Sequence, residues 1–304
     1  MAPTASTDDM KYDPSTYWIA PARNFRTSAR LHLQHLLFQS TLDGLLLEKR
    51  IEDSVLSAIT KLKVADLGCG NGVWLSDLDR TLSSTKPEVS LQLQGFDVNP
   101  VNFPANAFLP GSMILSTLDV LQQPLPTDLQ GAFDVVHVRA FVSIIRNGDP
   151  APLLNSALAL LKPGGWLQWE ETRADASVAT SPSPAVSKDA CDTIIHIMDA
   201  GGKASGFDFT FLDSLDTHLS RHGFEDVEVR QVDKRTPDLK AWTEDYLMVW
   251  EDLTGLFPSR EHVPQALMTK DAFVELFAKA VKETESGVVV HQRKVVIASG
   301  RKAM

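Results

Sequence analysis

A glycine-rich segment at residues 64–72, with the sequence VADLGCGNG, constrains the fold more than any other part of this chain. A short apolar run ends in Asp66, glycine then recurs at every second position, and a new apolar stretch begins at Val73. A strand, a tight turn and a helix start in this order place backbone N–H groups against a nucleotide-like ligand. Glycine suits the turn because it tolerates positive φ and because a Cβ would obstruct the ligand. The segment therefore predicts the first strand and helix of a nucleotide-binding α/β fold.

The residues within this segment distinguish between two nucleotide-like ligands. A dinucleotide fingerprint would need a further glycine at position 73 or 75, but these positions hold Val73 and Leu75. Asp66 lies two residues before the first glycine, where its carboxylate would repel a pyrophosphate and attract an ammonium group. S-adenosyl-L-methionine (SAM) carries such a group beside its sulfonium. Asp66 therefore favours SAM over NAD.

Two further acids follow predicted strands in the positions that this interpretation requires. Residues 90–97 alternate as a strand does and end in Asp97, which is placed to accept both hydroxyls of a ribose. Residues 112–119 repeat the pattern and end in Asp119, which is available for the adenine amino group. Acids at successive strand ends around a glycine loop are a more specific signal than any one of them alone.

The rest of the chain fits a single α/β domain. Residues 133–139 are apolar almost to their end, as expected of a buried parallel strand, and residues 165–171 predict the next strand after a turn. We expect a disordered tail at residues 1–16, an N-terminal helical lid at 17–60 and a SAM-binding domain at 61–304. The late helices of this domain, at about 187–281, are expected to form the substrate pocket.

Composition disfavours several classes of function. The formal net charge of −10 argues against nucleic acid as the substrate, because phosphate contacts need a basic surface. The two cysteines, Cys69 and Cys191, make no disulfide framework and favour a reducing compartment. The first residues lack a secretory pattern, and no apolar run approaches the roughly 20 residues of a membrane helix. We therefore expect a cytoplasmic protein with no membrane partner.

Residues 64–171 resemble the core of a class I SAM-dependent methyltransferase. The resemblance rests on the acidic glycine loop, on Asp97 and Asp119, and on the LKPGG turn at residues 161–165. Within that superfamily the chain is similar to the LaeA-like and UMTA-like methyltransferases associated with fungal secondary metabolism. This finer similarity rests on three short motifs: RLHLQH at residues 30–35, NFP at 102–104 and HVR at 137–139.

The resemblance implies a fold and a cofactor. The fold would be a doubly wound seven-stranded class I methyltransferase (Rossmann-like) sheet with an N-terminal helical lid. Its seventh strand would run antiparallel between the fifth and sixth, which gives the order 3-2-1-4-5-7-6. The cofactor would be SAM, with S-adenosyl-L-homocysteine (SAH) as product. The expected cofactor-binding residues are Tyr17, Arg30, Asp66, Gly68, Gly70, Asn71, Asp97, Val98, Asp119, Val120 and His137.

Candidate catalytic residues lie at the ends of the fourth and fifth strands. His137 is placed beside the expected sulfonium, since ligands bind at the carboxyl ends of strands in open α/β sheets. Glu170 and Glu171 end the fifth strand, and alternation directs one of them toward the pocket and the other away. We expect His137 or Glu170 to take the proton of the acceptor. No metal site is expected, because His, Cys and acids do not cluster at ligand spacing.

The predicted function is methyl transfer from SAM to a small, apolar natural product, with oxygen favoured over nitrogen or sulfur as the acceptor. Trp242, Tyr246 and Trp250 recur at helical spacing and either pack as core or form an apolar wall for this substrate. Two alternatives stay open: a SAM-binding cyclase (pericyclase) that uses the sulfonium as a fixed charge, and a LaeA-like regulatory protein that acts through protein partners. The oligomeric state is not predicted.

Overall fold

The computed structural model describes residues 24–57, 60–259, 261 and 268–304, so Tyr17 and the predicted tail at residues 1–16 lie outside it. The described residues form eight α-helices and nine strands. The helices are α1 (Phe25–Thr41), α2 (Lys49–Leu56), α3 (Val73–Thr85), α4 (Ala151–Leu160), α5 (Asp189–Ala204), α6 (Leu215–Arg221), α7 (Leu239–Leu253) and α8 (Lys270–Glu285). The strands are β1 (Lys61–Leu67), β2 (Ser90–Asp97), β3 (Met113–Thr117), β4 (Phe133–Arg139), β5 (Leu161–Thr172), β6 (Val178–Thr180), β7 (Phe224–Asp233), β8 (Val289–His291) and β9 (Lys294–Lys302).

Seven of the strands form one mixed sheet in the order β3-β2-β1-β4-β5-β9-β7. Strands β1 to β5 pair in parallel, whereas β9 runs antiparallel to both β5 and β7. Since β7 and β9 are the sixth and seventh sheet strands along the chain, the predicted order 3-2-1-4-5-7-6 is confirmed. The carboxyl ends of β1, β2, β4 and β5 consequently meet at one edge, where sheets of this kind bind ligands.

Apolar side chains build a core on each face of the sheet. Val136 and Val138 of β4 pack into a cluster with α4 and α6, whereas Val135 packs on the opposite face with α2 and α3. All three valines are completely buried. This burial on both faces explains why residues 133–139 are apolar almost throughout.

The late helices α5, α7 and α8 pack with the two-stranded β6–β8 sheet in a core of their own, which includes Trp250. Trp242 lies instead in a cluster between α1, α7 and β9, with its ring 5.6 Å from that of Phe38. Tyr246 packs against both clusters. The aromatic stripe of α7 is therefore core packing, which is one of the two interpretations of its spacing.

Two elements differ from the sequence prediction. The sequence predicts a loop at residues 175–190, which include the run SPSP at 181–184. This segment instead contains the short strand β6, whose partner β8 is more than a hundred residues away along the chain. The glycine pair at residues 201–202 predicts that the helix beginning near residue 187 ends at residue 200. This is wrong, because α5 continues to Ala204. It ends where Gly206 adopts a φ of +79°, with the Phe207 amide donating to the Gly202 carbonyl. That is the hydrogen bond of a glycine C-terminal capping motif.

Candidate cofactor and active site

The glycine loop adopts the tight turn that its sequence predicts. Gly68, Gly70 and Gly72 have φ values of +70°, +58° and +73°, which side chains with a Cβ rarely adopt. A Cβ on Gly70 would also lie 2.8 Å from Leu31 of α1, and one on Gly68 would lie 2.8 Å from the ring of Phe141. The loop therefore brings α1 and the segment after β4 close to the start of α3.

A cavity of about 220 Å³ lies at the carboxyl edge of the sheet, bounded by α1, the glycine loop, the segments that follow β2, β3 and β4, and the last residues of β5. Every predicted cofactor residue in the described part of the chain lines it. These residues are Arg30, Asp66, Gly68, Gly70, Asn71, Asp97, Val98, Asp119, Val120 and His137. Helix α1 thus covers the cavity, and its action as a lid stays a prediction.

The two acids that follow β2 and β3 are fixed by backbone amides. Asp97 is buried and accepts hydrogen bonds from the amides of Gly70 and Asn99, each at 3.0 Å. The first of these bonds ties the end of β2 to the glycine loop. Asp119 accepts one from the amide of Leu121 at 3.0 Å. Both carboxylates are held at the cavity by local backbone, and such rigidity favours a hydrogen-bonded ligand.

His137 lies within a buried chain of charged groups beneath the cavity. Its Nδ1 donates to Asp66 at 2.7 Å, its Nε2 lies 3.8 Å from Glu170, and its ring stacks on Trp74 with centroids 3.6 Å apart. Glu170 also accepts from Arg139 Nε at 2.6 Å. Burial alone would raise the pKa of Glu170, but the charges and hydrogen bonds of Arg139 and His137 outweigh it and lower the pKa to about 2.

Helix α1 completes this network from the other side. Arg139 donates to His35 Nδ1 at 2.9 Å, so His35 must donate through Nε2 to Asp77, which lies 2.8 Å away. Burial and the charge of Arg139 lower the pKa of His35, which keeps this tautomer neutral. Arg30, also on α1, pairs with the buried Asp245 of α7 at 3.5 Å.

Glu171, rather than Glu170, lines the cavity. Its Oε1 accepts hydrogen bonds from the Phe141 amide at 2.5 Å and from Trp169 Nε1 at 2.9 Å. Burial raises the pKa of Glu171 to about 8, although these hydrogen bonds act in the opposite direction. The two neighbouring acids of β5 therefore differ in both position and charge state.

Unpaired polar atoms in the described part of the chain concentrate at this cavity. Ten buried side-chain nitrogen or oxygen atoms have no hydrogen-bond partner there, and seven of them belong to residues that line the cavity. These seven residues are Thr27, Arg30, Trp74, Asn102, His137, Arg139 and Glu171. Buried polar groups in native proteins are nearly always paired, so this concentration indicates a site that completes its hydrogen bonds with a polar ligand.

A comparison with protein families decides the identity of the domain. Residues 33–280 match the model of the methyltransferase domain. This chain belongs to that family. A methyltransferase of a Penicillium species, grgD, is 34% identical over 175 residues, which cover 57% of this chain and 58% of that protein. The N-methyltransferase verN of Clonostachys rogersoniana is 28% identical over 234 residues, which cover 72% of this chain and 74% of that protein.

Among solved structures, the phosphoethanolamine N-methyltransferase 2 of Haemonchus contortus, in complex with SAM, superposes with a TM-score of 0.47. It is 16% identical, and the match covers 93% of the present chain and 61% of that chain. The match to the Penicillium relative spans under three fifths of that relative's length.

In the described part of the chain, no group of three or more His, Cys, Asp or Glu is placed to hold a metal ion. No helix described there is long and apolar enough to cross a membrane.

Arg139 and Trp74 contact the site but were not predicted from the sequence. Arg139 follows His137 by two positions on β4, so alternation places both on the same face, and it pairs across the sheet with Glu170. The two-residue spacing could therefore have predicted Arg139 as a site residue. No sequence pattern predicts Trp74, because its contact with His137 joins the first turn of α3 to a strand far along the chain.

Proposed function

We propose that this protein transfers the methyl group of SAM to a small, apolar natural product. The observation that carries the proposal is the cavity in which the glycine loop, Asp97 and Asp119 meet the ends of β4 and β5. The family assignment supports methyl transfer as the chemistry. Alignment of the reactants in such an enclosed site supplies a large part of the acceleration.

The residues present fit SAM by their hydrogen-bonding capacity. We assign Asp97 to the ribose hydroxyls and Asp119 to the adenine amino group, because carboxylates accept hydrogen bonds from such donors. Arg30 has an unpaired buried Nε at the cavity and is assigned to the carboxylate of SAM. Asp66 contributes negative charge on the side of the ammonium group, directly or through His137. When bound, SAM supplies an electrophilic methyl group on a sulfonium.

The lining of the cavity includes the apolar side chains of Leu31, Phe141, Val142 and Ile144, and we assign these to the acceptor. An apolar acceptor therefore fits these side chains better than a charged one. The sequence favoured oxygen as the acceptor atom, whereas the Clonostachys relative is named an N-methyltransferase. We accordingly propose nitrogen first and a phenolic oxygen second.

The proposed catalytic residues differ in their suitability as a base. His137 lines the cavity, but its Nδ1 is engaged by Asp66 and leaves only Nε2 available. Glu170 does not line the cavity, and its two oxygens accept hydrogen bonds from Arg139 and Gln168. A carboxylate with a pKa of about 2 is also a weak base near neutral pH.

The test is a mass-spectrometric assay with SAM whose methyl group carries deuterium. The protein is incubated with a panel of apolar secondary amines, amides and phenols, with an Asp97→Ala variant as control. A product that gains one labelled methyl group, together with SAH, supports the proposal. An isomerised substrate without SAH would support a cyclase instead. Failure of the folded protein to bind SAM in calorimetry would contradict the proposal.

A further inference from the structure

Glu171 lacks the facing cationic side chain that three neighbouring buried acids have. Asp66 faces His137, Glu170 faces Arg139 and Asp245 faces Arg30, at distances of 2.7, 2.6 and 3.5 Å. In the described part of the chain, Glu171 has no ion pair with a cation. The Phe141 amide and the Trp169 indole N–H donate to Oε1, and the nearby amides of Val142 and Thr172 also act to lower the pKa of the group.

The second oxygen of Glu171 is fixed in position and unpaired. Since Oε1 is anchored on two sides by Phe141 and Trp169, the carboxyl plane cannot turn freely. Oε2 is buried without a hydrogen-bond partner among the described residues, and the residue lines the cavity. A buried carboxylate without a cation is costly, so the protein alone keeps this group largely protonated at neutral pH.

Each of the charged groups nearby has an ion-pair or hydrogen-bond partner other than Glu171. They lie on α1, on β1, on β4, on β5, in the segment that follows β5 and in the segment just before α6: Arg30, His35, Asp66, His137, Arg139, Glu170, Arg173, Asp175 and Asp213. The cations among them face acids, as Arg139 faces Glu170 and Arg173 faces Asp175. None of them compensates a negative charge on Glu171, so its compensation has to come from a ligand.

We propose that Glu171 supplies the negative charge that compensates the sulfonium of SAM and gives up its proton when SAM binds. This inference rests on the proposed function, since it requires SAM in this cavity. SAH has the same adenosine and amino-acid groups but a neutral thioether, so it offers Glu171 no positive charge. The cavity thereby distinguishes the cofactor from its product by charge.

The same assignment balances charge and atoms during transfer. A bond forms between the acceptor atom and the methyl carbon, and the bond from methyl to sulfur breaks with its electron pair left on sulfur. The proton of the acceptor passes to Glu171 Oε2. A sulfonium and a carboxylate thus become a thioether and a carboxylic acid, so the net charge of the buried site is zero before and after the step.

Proton release on cofactor binding tests the inference without any acceptor. Calorimetric titrations with SAM and with SAH are run at pH 7 in phosphate and in Tris, whose different ionisation enthalpies reveal the number of protons released. With a pKa of about 8 in the protein alone, Glu171 should release up to about 0.9 proton when SAM binds. SAH should release close to none. Between pH 6 and 8 the association constant of SAM should rise up to about tenfold per pH unit, and that of SAH should stay nearly constant.

Glu171→Gln keeps a carbonyl oxygen for the two donors and removes the charge, while Glu225→Gln removes an exposed acid from β7 as a matched control. We expect the first variant to lose both the SAM-specific proton release and about tenfold of the preference for SAM over SAH at pH 8. The control should behave as the parent does.

Equal proton release with SAM and SAH in the parent protein would overturn the inference, and so would SAM-specific release that persists in Glu171→Gln. In both cases SAM still binds, and the proposed function stands. Absence of SAM binding would overturn the proposed function and this inference together. If Glu171→Gln does not fold, the difference in proton release between SAM and SAH on the parent protein is the deciding measurement.

Discussion

Two adjacent residues, Glu170 and Glu171, show how strongly the surroundings set the chemistry of a side chain. Both end the same strand and both are buried. Glu170 meets Arg139 and has a pKa of about 2, whereas Glu171 meets only neutral donors and has a pKa of about 8. One position along the strand therefore separates a permanent carboxylate from a group that can exchange a proton near neutral pH.

This difference predicts a pH dependence of stability. The pKa of Glu171 is raised above its ordinary value of 4.5, so between these values the folded protein retains a proton that the unfolded chain has lost. Stability should therefore fall as the pH rises from about 5 to 8, by up to about 4 kcal/mol. Glu171→Gln should flatten this part of the profile, as measured by urea unfolding at several pH values. A profile unchanged by the substitution, with Glu225→Gln as control, would contradict it.

Asp97 provides a second prediction at the scale of one residue. Its assigned hydrogen bonds to the ribose are charge-assisted, each worth about 1.5–3 kcal/mol. Asp97→Ala should weaken SAM binding at least about tenfold while the protein stays folded. Calorimetry measures the affinity, and circular dichroism checks the fold. Asp128→Ala, which removes an exposed acid, is the control and should leave the affinity unchanged. Equal affinity of Asp97→Ala and the parent for SAM would contradict the assignment of Asp97 to the cofactor site.

At the scale of elements, α1 and α7 act together although neither belongs to the sheet. Arg30 and Asp245 link them across 215 residues of sequence, and Phe38 and Trp242 pack between them and β9. Helix α1 also contributes Leu31, which contacts the glycine loop. The position of α1 over the cavity thus depends on a helix late in the chain.

A substitution of Trp242 tests whether α1 depends on its packing against α7. The side chain of Trp242 is 1% exposed and does not line the cavity, so Trp242→Ala should cost about 3–5 kcal/mol of stability. The folded fraction should bind SAM with nearly the parent affinity. Phe108→Ala is the control, because this aromatic ring is 84% exposed and its loss should change stability by less than about 0.5 kcal/mol. A small loss of stability in Trp242→Ala with strongly weakened SAM binding would contradict the assignment of Trp242 to the core.

At the scale of the whole molecule, the cavity joins parts of the chain that are far apart in sequence. It is lined by residues from α1, the glycine loop, the segments after β2, β3 and β4, and the end of β5. The site exists only while these parts are folded together. A ligand in it therefore stabilises the entire domain rather than one segment.

This coupling gives a thermal prediction. SAM at about 100 times its dissociation constant should stabilise the protein by about 2.7 kcal/mol and raise its melting temperature by several degrees. NAD at the same concentration should leave the melting temperature unchanged, since Asp66 and the missing third glycine disfavour a dinucleotide. Differential scanning fluorimetry compares the two ligands. An equal rise of the melting temperature with NAD would support the dinucleotide interpretation of the glycine loop.

The sequence by itself determined the features that depend on local order. The glycine loop, the acids after β2 and β3 and the apolar strand β4 were all predictable, because turn conformation and strand burial leave a short-range pattern. The resemblance that these motifs support also gave the strand order, including the reversed last strand.

Only the tertiary structure decided which of these residues act together. The bond of His137 to Asp66 spans 71 residues and that of Arg30 to Asp245 spans 215, and no local pattern encodes such partners. The structure also showed that the aromatic stripe of α7 is core, and that Glu171 rather than Glu170 is the acid of β5 that lines the cavity. The physical reason is that burial and charge compensation depend on every group packed around a side chain, and those groups come together only when the chain has folded.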